Sequence, residues 1–78
     1  MNNIHPTAII SPKAQLGNNI TVGANTIIYD NVIIDDNTII EAFCELGVQK
    51  YLSNNEQLQI GKNSHIRSHS VFYEGSNF

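Results

Sequence analysis

Residues 4–46 read IHPTAIISPKAQLGNNITVGANTIIYDNVIIDDNTIIEAFCEL, and along this stretch an aliphatic side chain returns at every sixth position: Ile4, Ile10, Leu16, Val22, Ile28, Ile34, Ile40 and Leu46. A helical stripe would recur at three and four residues, and a half-buried strand would alternate over one short run. Neither keeps a strict period of six over this length. Four positions after each aliphatic comes a second set, mostly small or β-branched: Ala8, Ala14, Ile20, Thr26, Val32, Thr38 and Cys44. The residue before that set is Thr7, Lys13, then Asn in four consecutive repeats (Asn19, Asn25, Asn31, Asn37), then Phe43. Asn tolerates the left-handed backbone region better than other residues with a Cβ, as a tight corner often requires. Each hexad therefore reads as one short strand plus one corner.

Hexads such as LGNNIT (16–21), VGANTI (22–27), IDDNTI (34–39) and IGKNSH (60–65) resemble the hexapeptide repeat of left-handed parallel β-helix acyltransferases. The opening IHPTAIISPKAQLG (4–17) is similar to the first coil of many members, including sugar O- and N-acetyltransferases and acyltransferases of lipid A synthesis. The closing LQIGKNSHIRSHSVFYEGSNF (58–78) resembles a subgroup of sugar acyltransferases in surface-polysaccharide pathways. The resemblance implies an all-β fold, a left-handed parallel β-helix in which three hexads make one triangular coil. The hand rests on the resemblance alone, since the usual crossover rule favours the right hand. Residues 18 apart would then stack at about 4.8 Å. The inward columns become Ile4, Val22 and Ile40 on a first face, Ile10, Ile28 and Leu46 on a second, and Leu16 and Ile34 on a third. Side chains alternate across a strand, so the neighbours of each inward residue point outward. On the second face these are Ile9 and Ser11, Ile27 and Tyr29, and Glu45 and Gly47.

The chain has 78 residues, too few for two domains, so 1–78 is read as a single β-helix domain. A solenoid of this size is feasible because each coil buries its apolar residues against its neighbours. The net charge is −3 with only four Lys plus Arg, which provides no basic stripe to follow a phosphate backbone and argues against nucleic acid as a partner. No apolar run approaches the roughly 18 residues of a membrane span, and the N-terminus lacks the pattern of a secretory signal. The expected address is cytoplasmic. Cys44 is the single cysteine, which excludes an internal disulfide, and its register places it inward as a small hydrophobe.

The lattice breaks once. After Leu46 the next clean hexad starts at Ile60, fourteen residues on where twelve would keep phase. This predicts two extra residues in a loop over 48–59, with the polar core YLSNNEQ, between repeats at 4–47 and 60–78. The lattice resumes with Ile60, Ile66, Phe72 and Phe78, with Ser64, Ser70 and Ser76 at the second inward place, giving about four coils. Phe78 would open a fifth coil, so the expectation is a chain truncated before it, the N-terminal part of a longer reading frame or a naturally shortened relative. The resemblance places the histidine usually assigned as catalytic in that following coil, beyond Phe78.

The outward column of Ile9, Ile27 and Tyr29 is costly to leave in water, because burying one such side chain is worth about 1.5–3 kcal/mol. It predicts a subunit interface. Scattered surface aliphatics are the plainer alternative, and outward Ile33 and Ile39 show that this chain tolerates them. The resemblance implies a homotrimer closed about a three-fold axis.

The resemblance further implies transfer of an acetyl or other acyl group from acyl-coenzyme A to a hydroxyl or amine of a saccharide or nucleotide sugar. Such chemistry needs a base for the acceptor's proton and donors for the oxyanion of the tetrahedral intermediate. The histidines are His5, His65 and His69. His5 lies in the opening, far from the end where family sites lie, and reads as a surface residue. By register His65 joins the outward column of Ile9, Ile27 and Glu45, one coil from Glu45 and two residues from Arg67; such a carboxylate could orient its imidazole, or the group could be a polar cluster in an interface. His69 occupies the corner place that Asn fills elsewhere, and within SHSVFYEGS it matches a position of the subgroup. It is the candidate catalytic base, with a rim contact or a simple turn as alternatives. His65, Arg67, Tyr73 and Glu74 are candidate contacts to substrate or coenzyme, with Arg67 the phosphate-pairing cation or an interface ion pair. No metal is expected: His65 and His69 fall on a strand and a corner rather than one helix face, and Asp30, Asp35 and Asp36 read as solvated corner residues. The alternative from another class is a non-catalytic β-helical trimerisation or scaffold module.

Overall fold

The computed structural model describes residues 2–48, 57–73 and 75. Glu74, Ser76, Phe78 and the core of the sequence-predicted loop, residues 49–56, lie outside the described residues. Among the described residues eleven short strands follow one another: β1 (Asn3–Ile4), β2 (Ile9–Ile10), β3 (Gln15–Leu16), β4 (Thr21–Val22), β5 (Ile27–Ile28), β6 (Val32–Ile34), β7 (Ile39–Ile40), β8 (Glu45–Val48), β9 (Leu58–Ile60), β10 (His65–Ile66) and β11 (Val71–Tyr73). They stack into three parallel sheets, β1-β4-β7-β10, β2-β5-β8-β11 and β3-β6-β9. Every third strand thus shares a face. This is the triangular, hexapeptide-repeat left-handed parallel β-helix, with no helix among the described residues.

The period of six becomes a core directly. Val22, Ile28, Ile34, Ile40, Leu46, Ile60 and Ile66 are buried, as are Ile20, Thr26, Val32, Thr38 and Cys44 of the second inward set. Ile10, Leu16, Ala8 and Ala14 are only half-buried, and Ile4 stays 40% exposed, because the first coil has a neighbour on one side only. At the corners the expected left-handed backbone is found at Asn19, Asn25, Asn37 and Asn63, and also at Phe43 and His69. Asn31 holds the same register place without it. The left-handed turn aims an amide back at the preceding coil: Asn37 N donates to Asn18 O at 2.9 Å, Phe43 N to Ala24 O at 2.9 Å and Asn63 N to Asp36 O at 3.0 Å. Asn19 and Asn37 add a side-chain rung at 3.2 Å.

Inward hydroxyls close the remaining corner carbonyls. Thr38 Oγ1 donates to Asp35 O (3.0 Å), Ser64 Oγ to Gly61 O (2.7 Å) and Ser70 Oγ to Arg67 O (2.6 Å). Thr26 Oγ1 donates to Glu41 O at 3.0 Å and accepts from Cys44 N at 3.3 Å. A buried polar atom without a partner is costly, so these small hydroxyls keep the corners compatible with a dry core.

Two expectations are corrected. Stacked partners across the first coils are 18 apart, as in Leu16 with Ile34, whereas Ile34 stacks on Ile60, Ile40 on Ile66 and Leu46 on Phe72, each 26 apart. Eight residues, not two, are therefore extra. The apparent phase misled because fourteen is close to two hexads, while the structure spends only one strand step there. Consequently β9 takes the third face, β10 the first and β11 the second. The loop also shrinks from both sides, since Val48 ends β8 and Leu58 is a buried core residue in β9, stacked on Val32. Second, Gly47 is buried rather than outward: it adopts φ 91°, and a Cβ there would press on Val32, Asn31 and Tyr29. The strand pairing skips it, with Phe72 opposite Leu46 and Tyr73 opposite Val48.

Candidate functional site

The corrected register moves His65. It sits on the first face, opposite Ile39, and not in the column of Ile9, Ile27 and Glu45; that place belongs to Val71. Its carboxylate neighbour is consequently Glu41. Glu41 follows inward Ile40 and points outward beneath Arg67, which follows inward Ile66.

Glu41 gathers four groups of the next coil. Its Oε2 lies 2.6 Å from His65 Nε2 and 3.6 Å from Arg67 Nε. Its Oε1 accepts from Ser68 N at 3.1 Å and from Ser68 Oγ at 2.9 Å. The Ser68 hydroxyl, then His65 and the Ser68 amide, hold the Glu41 carboxyl below its ordinary range. Sequence reasoning missed Glu41 and Ser68 because both depend on the phase across the insertion. The signal that finds them is an outward Glu one coil below an outward Arg.

In the neutral imidazole of His65, an Nε2–H donated to Glu41 places the lone pair on Nδ1. That is the arrangement of an imidazole base with an orienting carboxylate. His65 is half-exposed at its side chain and Arg67 is 81% exposed, so both are open to a ligand.

His69 is at the adjoining corner, as the register predicts, with φ 62°. It is exposed and stacks on Phe43, with ring centroids 5.2 Å apart and planes 8° from parallel. Phe43 is 53% exposed and itself left-handed, at φ 60°. Tyr73 is exposed on the second face, at the end of β11. Thus the structure joins His65 and Arg67 through Glu41 and sets His69 at the next corner, while Tyr73 stands on a different face.

The other residues singled out from the sequence take these places. His5 Nδ1 accepts from Thr7 N at 3.1 Å and lies 2.9 Å from Thr7 Oγ1, closing the first corner. Cys44 is buried, with Sγ 3.2 Å from Arg67 O. Asp30 accepts from the Ser11 hydroxyl, and Asp36 Oδ1 accepts from Asn18 N at 2.8 Å. On the second face Tyr29 Oη donates to Glu45 Oε1 at 3.2 Å; burial, then that hydrogen bond, push the phenol's pKa up. Ile9 is 64% and Val71 47% exposed, with Ile27 half-buried between coils of the same column. Among the described residues no group of three His, Cys, Asp or Glu is placed to hold a metal ion, and no helix is long and apolar enough to cross a membrane.

No curated protein and no solved structure matches the chain. Residues 13–47 match the family described as Bacterial transferase hexapeptide (six repeats), a match that supports, for this segment, the hexapeptide-repeat character already visible in the stacked coils.

Proposed function

We propose that this protein serves acyl transfer from an acyl-coenzyme A, acetyl-coenzyme A first, to a hydroxyl or amine of a saccharide or nucleotide sugar. The observation that carries the reading is the Glu41–His65 contact at 2.6 Å on an exposed face of a hexapeptide-repeat solenoid. The family description names transferases, and a carboxylate-held imidazole is the base such a transfer needs.

In the step, His65 Nδ1 takes the proton from the acceptor O–H or N–H as that atom attacks the thioester carbonyl. The tetrahedral intermediate then collapses, the C–S bond breaks, and the departing thiolate recovers the proton from the imidazolium. Arg67 pairs with coenzyme phosphates. His69 and Tyr73 are rim contacts, and neighbouring copies in a homotrimer complete the groove.

Calorimetric titration of acetyl-coenzyme A into the folded chain at neutral pH tests this. Saturable binding that weakens in Arg67→Ala, with turnover lost in His65→Ala, is the expected result. A folded sample that binds no coenzyme overturns it. The outward apolar column of Ile9, Ile27 and Val71 favours a second reading, a non-catalytic trimerisation or scaffold module, which predicts that null titration together with a stable oligomer.

A further inference from the structure

We infer that Glu41 is an acid-sensitive bolt between the third and fourth coils, whose ionised carboxylate sets and holds the register of the strands that resume after the insertion. The inference concerns the fold and does not depend on the acyl-transfer reading.

The strands after the insertion have a registration problem that the earlier ones lack. β9, which completes the third coil, and β10 and β11 of the fourth stack on partners 26 positions back instead of 18. The loop closed by each contact is longer, and closure entropy grows with loop length. β10 brings only two residues to its pairing, His65 with Ile39 and Ile66 with Ile40. A slip of one residue would turn His65 into the core and Ile66 out to water.

Glu41 detects such a slip. Its two oxygens engage residues on both sides of the corner, His65 from β10 and the amide and hydroxyl of Ser68, with Arg67 at 3.6 Å. A displaced strand cannot present all of these together. At this register place the lower coils have no counterpart, since the position stacked beneath Glu41 is taken by Gly23. There the two coils meet backbone to backbone: a Cβ on Gly23 would lie 2.7 Å from Ala42 N and 2.7 Å from Glu41 C.

The bolt requires charge. The titratable and cationic groups facing Glu41 are His65 and Arg67 from the coil above, and Gly23 beneath brings none. The carboxyl pKa is lowered in the fold, by the Ser68 hydroxyl first and His65 next. A lowered carboxyl pKa means that its stabilisation is fully present above the ordinary Glu value, about 4.3, and is lost as pH falls through the folded value.

Amide hydrogen exchange on the full chain, without any ligand, tests this. At neutral pH, Glu41→Gln should accelerate exchange by on the order of tenfold at amides bonded between coils three and four. These are Ile39 to Ser64 O, Glu45 to Ser70 O and His69 to Ala42 O. Amides bonded between lower coils, Ile9 to Thr26 O, Thr21 to Thr38 O and Ile27 to Cys44 O, should keep their protection. Equal acceleration of both sets, or none in the first, overturns the inference. Should Glu41→Gln fail to fold, the wild-type chain is taken from neutral to acid pH, with protection corrected for intrinsic rate. The upper set must then loosen before the lower, and simultaneous loss overturns it.

Discussion

At the scale of single residues, the corner positions show chemistry and local preference pulling apart. Asn at a left-handed corner is inexpensive, but Phe43 and His69 take the same conformation with bulky rings. A left-handed backbone costs a residue with an ordinary side chain about 1–2 kcal/mol, and a stacked ring pair returns about 0.5–1.5 kcal/mol. Phe43→Asn is therefore expected to stabilise the chain by up to about 1 kcal/mol, raising the thermal midpoint by a few degrees. A lowered midpoint in thermal denaturation would show that the stack outweighs the strain. His69 at a corner was legible because its place in the hexad is the one that Asn occupies elsewhere. Its ring partner was not, since Phe43 and His69 meet only once the insertion is given its true length.

At the scale of elements, two-residue strands hold together because the corners between them are saturated. Thr26 is the clearest case: one buried hydroxyl bridges Glu41 O and Cys44 N. Thr26→Val preserves shape and removes both bonds, and should cost about 1–3 kcal/mol in denaturant unfolding. A change below a few tenths would mean that the backbone groups find other partners. The sequence pattern announced small residues at this inward place but not why several are hydroxylated, because the carbonyl each serves comes from the corner geometry. The eight-residue insertion was misjudged at this scale too. A count of fourteen imitates two hexads, and Leu58, the residue that shows otherwise, precedes the hexad that looked clean.

For the whole molecule, three faces and their inward columns followed from the period of six together with the three hexads per coil that the family resemblance implies. The surface followed only as far as the phase was known: β1 to β8 came out as expected, and the strands after the insertion were rotated by one face. That rotation removed His65 from the Ile9 and Ile27 column and put Val71 in it. The second face thereby becomes more apolar than the sequence implied, in keeping with the proposal that copies pack through it. In the proposed homotrimer, Ile27→Asp should dissociate the copies, read as a slower-sedimenting species in analytical ultracentrifugation. An unchanged profile would remove the second face from the interface.

The corners also bear on chirality. A backbone at φ near +60° is the mirror image of the ordinary right-handed helical conformation, and hence the natural state of a D-amino acid. The chain is 78 residues, short enough to be joined chemically from synthetic segments. A D-residue at Asn19, Asn37 or Asn63 would sit where its own stereochemistry prefers, and would resist any unwinding that returns the corner to an L-type conformation. Inverted centres spaced one to a coil would thus be tolerated by this backbone, whereas the same inversion at Ile28 or Ile34 should prevent folding.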